Sequence, residues 1–217
     1  MELTLIQKIS IGILPILFAI TLHEVAHGWV ADRLGDRTAR LAGRLTLNPI
    51  KHVDPIGTVI LPLAMYALTG FVFGWAKPVP VDPRNLRAPR RDMAIVAAAG
   101  PLSNLLMAVG WALLMALGVH GMGQSTWYGE PLALMGQIGV FVNLLLMVFN
   151  LLPIPPLDGG RVLVSMVPPR IGAQIARVEP FGFLILLVLL FTGVLSMTLL
   201  PIMSQLMTGL YGLVGLR

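Results

Sequence analysis

Ile11-Gly12-Ile13-Leu14-Pro15-Ile16-Leu17-Phe18-Ala19-Ile20-Thr21-Leu22-His23-Glu24-Val25-Ala26-His27-Gly28-Trp29-Val30-Ala31 is an apolar run that carries three ionisable side chains within five residues. A run of about 20 such residues is long enough to cross a bilayer as a helix. Ionisable groups inside such a segment are costly, so they point to a function. Two histidines four apart on a helix lie about one turn from each other, roughly 6 Å along the axis, on one face. Both can reach one metal ion, and Glu24 between them is placed to act as a base on an attacking water. The chemistry to expect is metal-assisted hydrolysis at membrane depth.

The rest of the chain agrees with a membrane setting. It has 217 residues, 56% hydrophobic and 12% charged, with a mean hydropathy of +0.84. Soluble domains run about 45–50% apolar and about 25% charged, so the expected class is an all-α polytopic membrane protein. Residues 1–217 read as a single integral-membrane domain. Five stretches are candidate spans: Leu5 to Ala31, Ile56 to Phe73, Met93 to Val119, Leu132 to Leu152 and Phe181 to Leu200. The second is short and interrupted by Gly57, Pro62 and Gly70. The tail from Pro201 to Leu216 reads equally as a span, a half-span or an interfacial helix. The first stretch lacks a strongly basic start and is read as retained, not as a signal peptide.

Charge is confined to the connections. The net charge is +5, carried mainly by Asp32 to Asp54 and Trp75 to Asp92. No basic stripe on a soluble face suggests a nucleic-acid partner. The Trp75 to Asp92 segment is rich in proline and is expected to be extended. Cysteine is absent, which leaves His, Asp and Glu as the strong metal ligands. A catalytic zinc usually takes three protein ligands, so a third is needed beside His23 and His27. Glu2, the loop acids, Glu130, Asp158 and Glu179 are the candidates. Asp158 stands out in Asn150-Leu151-Leu152-Pro153-Ile154-Pro155-Pro156-Leu157-Asp158-Gly159-Gly160, where prolines break an apolar helix and free backbone groups tolerable only around a cavity or inside protein. Gly159 and Gly160 are expected to let the chain turn tightly after the acid. The alternative for Asp158 is a turn or capping acid.

Three motifs together carry a resemblance. His23-Glu24-x-x-His27 at the end of one span, Ala99-Gly100-Pro101-x-x-Asn104 in a middle one, and Asn150-x-x-Pro153-x-x-x-Leu157-Asp158-Gly159 in a later one resemble the site-2 proteases, zinc intramembrane proteases, in that family's order. The resemblance covers essentially the whole chain and is to small members without PDZ or CBS domains. It implies that His23, His27 and Asp158 hold one Zn2+ per chain and that Glu24 is general base and then general acid. Asn150 would bond the substrate backbone or the developing oxyanion. Asn104 reads as an interhelical polar bond. The implied substrates are transmembrane segments of other membrane proteins, in the lipid bilayer of a cell membrane. His52 reads as a solvated or interfacial histidine in a turn, outside the site, and His120 as a loop residue.

Topology follows from the third ligand. For His23, His27 and Asp158 to meet, an odd number of crossings must separate the first and fourth stretches. The interrupted Ile56 to Phe73 stretch is therefore expected to enter and return on one side. That leaves about five transmembrane helices plus a re-entrant segment, with both basic loops on one face, which the positive-inside tendency makes cytoplasmic. The site is expected towards that side. Gly74-Trp75-Ala76-Lys77-Pro78-Val79-Pro80-Val81 is expected to be a small strand-like element that holds unwound substrate by strand addition, similar to the membrane-inserted β element of the family. Two other functions fit part of the pattern: a divalent-metal transporter and a catalytically silent binder of membrane segments.

Overall fold

The computed structural model describes residues 4–69 and 74–216. The first helix, α1 (Leu5–Arg33), opens on a capping box between Thr4 and Gln7, which satisfies two N–H groups that a helix start otherwise leaves bare. One short turn, α2 (Thr38–Leu41), follows. After a π-helical turn over Pro55–Ile60 comes α3 (Leu61–Thr69). The two long central helices are α4 (Pro89–Gly123) and α5 (Gly129–Asn150). The chain continues through α6 (Asp158–Met166), α7 (Pro169–Ala176), α8 (Glu179–Phe191) and α9 (Val194–Leu213).

Four of these helices are long and apolar enough to cross a membrane: Ile9–Arg33 of α1, then α4, α5 and α9; α7 and α8, bent by 63°, would make a fifth span. The protein is thus an all-helical, multi-pass membrane protein. Among the described residues there is no strand. The fifth sequence stretch, Phe181 to Leu200, is not one helix. Gly193 takes φ 77°, a left-handed conformation that ends a helix at little cost only for glycine, so α8 stops and α9 begins at Val194, carrying the tail as a full-length helix. Pro89 occupies the first turn of α4, where its missing N–H costs nothing, and that span begins four residues before Met93. His120 lies in the last turn of α4, not in a loop.

The described part of the Ile56 to Phe73 stretch is shorter than a span. Pro55 through Thr69 is about 22 Å of helix against a hydrocarbon thickness of about 30 Å. Residues 70–73 lie outside the described residues, as does Glu2. Trp75, beyond the stretch, returns to its beginning: Trp75 N–H donates to Gly57 O at 2.9 Å, and Thr58 Oγ1 donates to Trp75 O at 2.9 Å. Residues 74–82 that follow have no regular secondary structure. Prolines at 78 and 80 remove the N–H groups that one edge of a ladder would need.

Packing inverts the pattern of a soluble core. On α4, Val96, Gly100, Asn104, Ala108 and Ala112 recur every fourth residue and are buried, while Leu106, Leu113 and Leu117 on other faces are more than half exposed. Small residues let helix backbones approach closely where lipid offers no hydrophobic contrast. The α4–α5 contact is the tightest case. A Cβ at Gly118 would lie 2.8 Å from Ala133 Cα, and one at Gly136 would lie 2.7 Å from Met115 Cα.

Outside the spans, Asp36 clamps the basic loops. Its buried carboxylate accepts from Asn85 Nδ2 at 3.0 Å, Asp82 N–H at 2.7 Å, and the N–H and hydroxyl of Thr38. Burial alone would push that carboxyl up, but the Thr38, Asn85 and Asp82 bonds together hold it below the usual range. Its stabilising contribution is therefore present above the ordinary carboxylate value and lost as pH falls through the lowered one.

The seam makes a paired prediction. Gly136→Ala should destabilise the protein by about 1–3 kcal/mol, because backbone must shift to admit the methyl group. Gly110→Ala, where a Cβ meets nothing within 4 Å, should be neutral or stabilising by up to about 1 kcal/mol through helix propensity. Thermal unfolding midpoints in detergent check both.

Candidate active site

His23 and His27 project from one face of α1 onto α4. His23 Nδ1–H donates to Asn104 Oδ1 at 2.5 Å, and His27 Nδ1–H donates to Val96 O at 2.7 Å. Both partners are oxygen acceptors, so each Nδ1 carries a proton and each Nε2 faces inward, as a lone pair when the ring is neutral. Asp158 Oδ2 faces the same point. It lies 3.2 Å from His23 Nε2 and 3.3 Å from His27 Nε2, and the two Nε2 atoms are 3.1 Å apart.

That triangle fits a metal. Ligands at 2.0–2.1 Å in tetrahedral geometry stand about 3.3–3.4 Å from one another. His23, His27 and Asp158 are the group of metal-ligating side chains that converges among the described residues. Asp158 Oδ2 is buried and has no hydrogen-bond donor, as expected if a cation, not a proton, is its partner. Two imidazoles and one carboxylate at tetrahedral spacing suit zinc. Glu130 and Glu179 head α5 and α8 and belong to no such group.

The neighbours show why each motif residue has its type. A Cβ at Gly100 would sit 2.6 Å from Cε1 of both histidine rings, so only glycine lets the imidazole pair rest on α4. One turn on, Asn104 reaches His23 with Oδ1, while its Nδ2 donates to Ala19 O at 3.2 Å and Asn143 Oδ1 at 2.9 Å. Asn143 in turn donates to Gly139 O at 2.8 Å. Asn104 is thus the expected interhelical bond and also orients a ligand ring, a role known to matter for metal affinity. Asn143 was not singled out in the sequence; its signal was an amide in the middle of an apolar helix. The Val96 carbonyl left no signal, since any residue supplies one.

Asp158 owes its position to the break after α5. Pro153, Pro155 and Pro156 stop the helix, and α6 starts with Asp158 itself. Gly159 and Gly160 do not make a turn, as expected from sequence; both are helical. They are glycines because a Cβ would lie 2.5 Å from Leu151 C at one and 2.6 Å from Ile154 C at the other, so the break and the start of α6 touch backbone to backbone. Asn150 lines the same cleft but donates to Leu146 O of its own helix at 3.0 Å, and is not in the metal triangle.

Glu24 lines the cleft from α1 and is held from the far side. Its Oε2 accepts the Val79 N–H at 2.8 Å. The 75–79 stretch is fastened at alternate residues: Trp75 to Gly57, Lys77 N–H to His52 O at 2.9 Å, and Lys77 O from Arg44 at 2.7 Å. His52 is therefore not solvated. It is 2% exposed, in a 3-10 turn, with Nε2–H donating to Thr46 O at 2.9 Å, and it braces the loop that braces Glu24. The cleft has a volume of about 150 Å³.

Comparison with known proteins gives a consistent set. The profile of peptidase family M50 matches residues 119–193. The "Putative zinc metalloprotease YwhC" of Bacillus subtilis is 41% identical over 193 residues, covering 88% of this chain and 85% of that protein. Rip2 of Mycolicibacterium smegmatis, whose name carries the same description, is 34% identical, covering 83% of this chain and 66% of Rip2. The regulator of sigma-E protease RseP of Salmonella typhimurium is 27% identical over 83% of this chain, which spans 41% of RseP. No solved structure matches.

The geometry predicts a graded response to mutation. Asp158→Ala should lose bound zinc, and Asn104→Ala should keep the fold but weaken zinc binding by about 10–100-fold through loss of the His23 support. Competition against a chromogenic chelator, on detergent-purified protein, reads both.

Proposed function

The chain belongs to peptidase family M50, the site-2 proteases, and from that premise we propose that His23, His27 and Asp158 hold one zinc ion beside which Glu24 moves the protons of peptide hydrolysis. The protein is an intramembrane zinc metalloprotease. Family membership sets aside the metal-transporter reading, and the full ligand set with an acid beside it speaks against a silent binder. The observation that carries the site assignment is the inward-facing triangle of two Nε2 atoms and one carboxylate oxygen, each ring fixed from behind.

Bound there, zinc would polarise the scissile carbonyl and make water nucleophilic near neutral pH. The residues do the rest. Val79 N–H holds Glu24 Oε2, which leaves Oε1 to take the proton of the attacking water and return it to the departing amine. Asn150 lies in the cleft wall, within reach of a substrate carbonyl once its bond to Leu146 yields. Buried walls around the three charged groups strengthen each of these interactions relative to water.

The substrates are proposed to be transmembrane segments of other proteins. A helical substrate has its carbonyls already hydrogen-bonded within the helix, so it must unwind to present a peptide bond to the cleft. Segment 74–81 is the proposed place for unwound chain. Its odd residues bond inward to Gly57, His52 and Glu24, so the carbonyls of Ala76, Pro78 and Pro80 form the edge left for a substrate strand. Strand addition at that edge would leave Glu24 in place.

We place the site towards the cytoplasm, in a cell membrane. His23 and His27 lie at the end of α1, Val96 near the start of α4 and Asp158 just past α5, so α1 and α5 run towards the site and α4 away from it. One crossing then separates them, with the Pro55 to Thr69 helix as a re-entrant segment. Ten of the 15 Lys and Arg fall between Arg33 and Arg91, at the site's end of these helices, and none lies between His120 and Pro131 at the other.

Two tests follow. Glu24→Gln should retain zinc and lose cleavage of a transmembrane peptide by about 10²–10⁴-fold; cleavage near wild-type rate would remove Glu24 as the base. Because the chain has no cysteine, single cysteines at Arg84 and Gln124 report topology directly. An impermeant maleimide added to intact cells should label the second and not the first.

A further inference from the structure

The cleft is short of hydrogen-bond donors. His23 and His27 point lone pairs into it, and Glu24 and Asp158 contribute carboxylates. Pro78 and Pro156 have no N–H, and the Asn150 amide donates into its own helix. A peptide unwound beside the zinc exposes carbonyl oxygens as well as N–H groups, and each buried polar group left unpaired costs free energy. The edge over residues 76–80 adds little: Pro78 and Pro80 offer carbonyls to a substrate's N–H groups but nothing to its C=O groups, which leaves the Ala76 N–H as the backbone donor of that edge.

Arg161 is the group in the wall that can meet this need. It stands three residues after Asp158 on α6, hence on nearly the same face, and lines the cleft together with Glu24 and Asp158. Among the described residues nothing accepts a bond from its guanidinium. Asp158 is one turn away, yet its Oδ2 is turned to the histidines. The other long basic side chain near α6, Arg90, is already committed to the carbonyls of Ser165 and Val167 at the helix end. A guanidinium carries five N–H donors in a fixed fork and cannot lose its charge.

We propose that Arg161 binds substrate, its guanidinium receiving carbonyl oxygens of the unwound segment beside the scissile bond. The assignment rests on the protease reading and adds to it the donors that Pro78 and Pro80 cannot supply. Because the carbonyls of a helical substrate are already paired, Arg161 favours extended over helical substrate.

The test uses the full chain, with zinc measured in every variant, and a fluorescent 25-residue Leu/Ala transmembrane peptide bearing a central Gly-Pro pair. Arg161→Met keeps the apolar stem and removes the donors; Arg161→Lys keeps charge and some donors. Expected is a KM raised about tenfold or more for Met at unchanged zinc content, with Lys recovering part of the loss. Binding of the same peptide is also followed by anisotropy in the Glu24→Gln background, where adding Arg161→Met should raise Kd by about tenfold. Unchanged Kd and KM for Arg161→Met would overturn the proposal. An effect seen only in vesicles containing anionic phospholipid, and absent in neutral detergent, would overturn it as well, assigning Arg161 to the headgroup layer. If wild type binds the peptide and cleaves nothing, the protease reading is what fails, and the Kd comparison still decides Arg161.

Discussion

Two imidazole nitrogens and a carboxylate oxygen, all acceptors, face one another at 3.1–3.3 Å in a buried site. Asn104 and Val96 accept from the Nδ1 side of each ring, which leaves both Nε2 atoms turned to the carboxylate. With both rings neutral, a cation at the centre satisfies all three acceptors at once. The remainder of the structure can be understood as the scaffold that keeps these three atoms converging. One helix supplies the pair, a second supplies the floor and both back-side acceptors, and a proline-broken third supplies the acid.

The scaffold works because α4 serves packing and chemistry with the same residues. Its four-residue repeat of Val96, Gly100, Asn104, Ala108 and Ala112 is the small face that helices in lipid need in order to touch. Gly100 makes the floor under the histidines, and Asn104 spends its amide on α1 and α5 while its oxygen orients His23. A larger residue at either position would separate the helices and misplace the ligands together. Coupling of this kind explains why the polar network is fully connected: in a low-dielectric interior a half-satisfied amide is worse than none.

Glu24 depends on a different support. It lies on α1, but its carboxylate is held by a loop residue 55 positions later, Val79, and that loop is fastened by Gly57, His52 and Arg44 in turn. The basic connections, which look in sequence like simple topology signals, are therefore also mechanical. Asp36 locks their two halves together through Asn85 and Asp82. Glu24 is thus tied to the segment proposed to receive substrate, through the Val79 N–H.

The sequence alone determined the membrane class and the histidine pair with its glutamate, and it singled out Asp158 as the candidate third ligand, because hydropathy and short motif spacing are local properties. It also led to the expectation that the short, interrupted stretch at 56–73 is no crossing, since three ligands at one point would constrain the parity of the helices between them. Helix ends were less legible: Gly193 breaks a continuous apolar run through a left-handed φ that its neighbours do not announce, and Pro89 begins a helix inside a proline-rich stretch that reads as extended. Only the tertiary structure decided why Gly100, Gly159 and Gly160 are glycines, that His52 is buried and not solvated, that Asn143 joins the ligand support, and that Arg161 opens into the cleft. Each of these is a contact between residues far apart in the chain, and such contacts are set by how the helices pack, which no local pattern encodes.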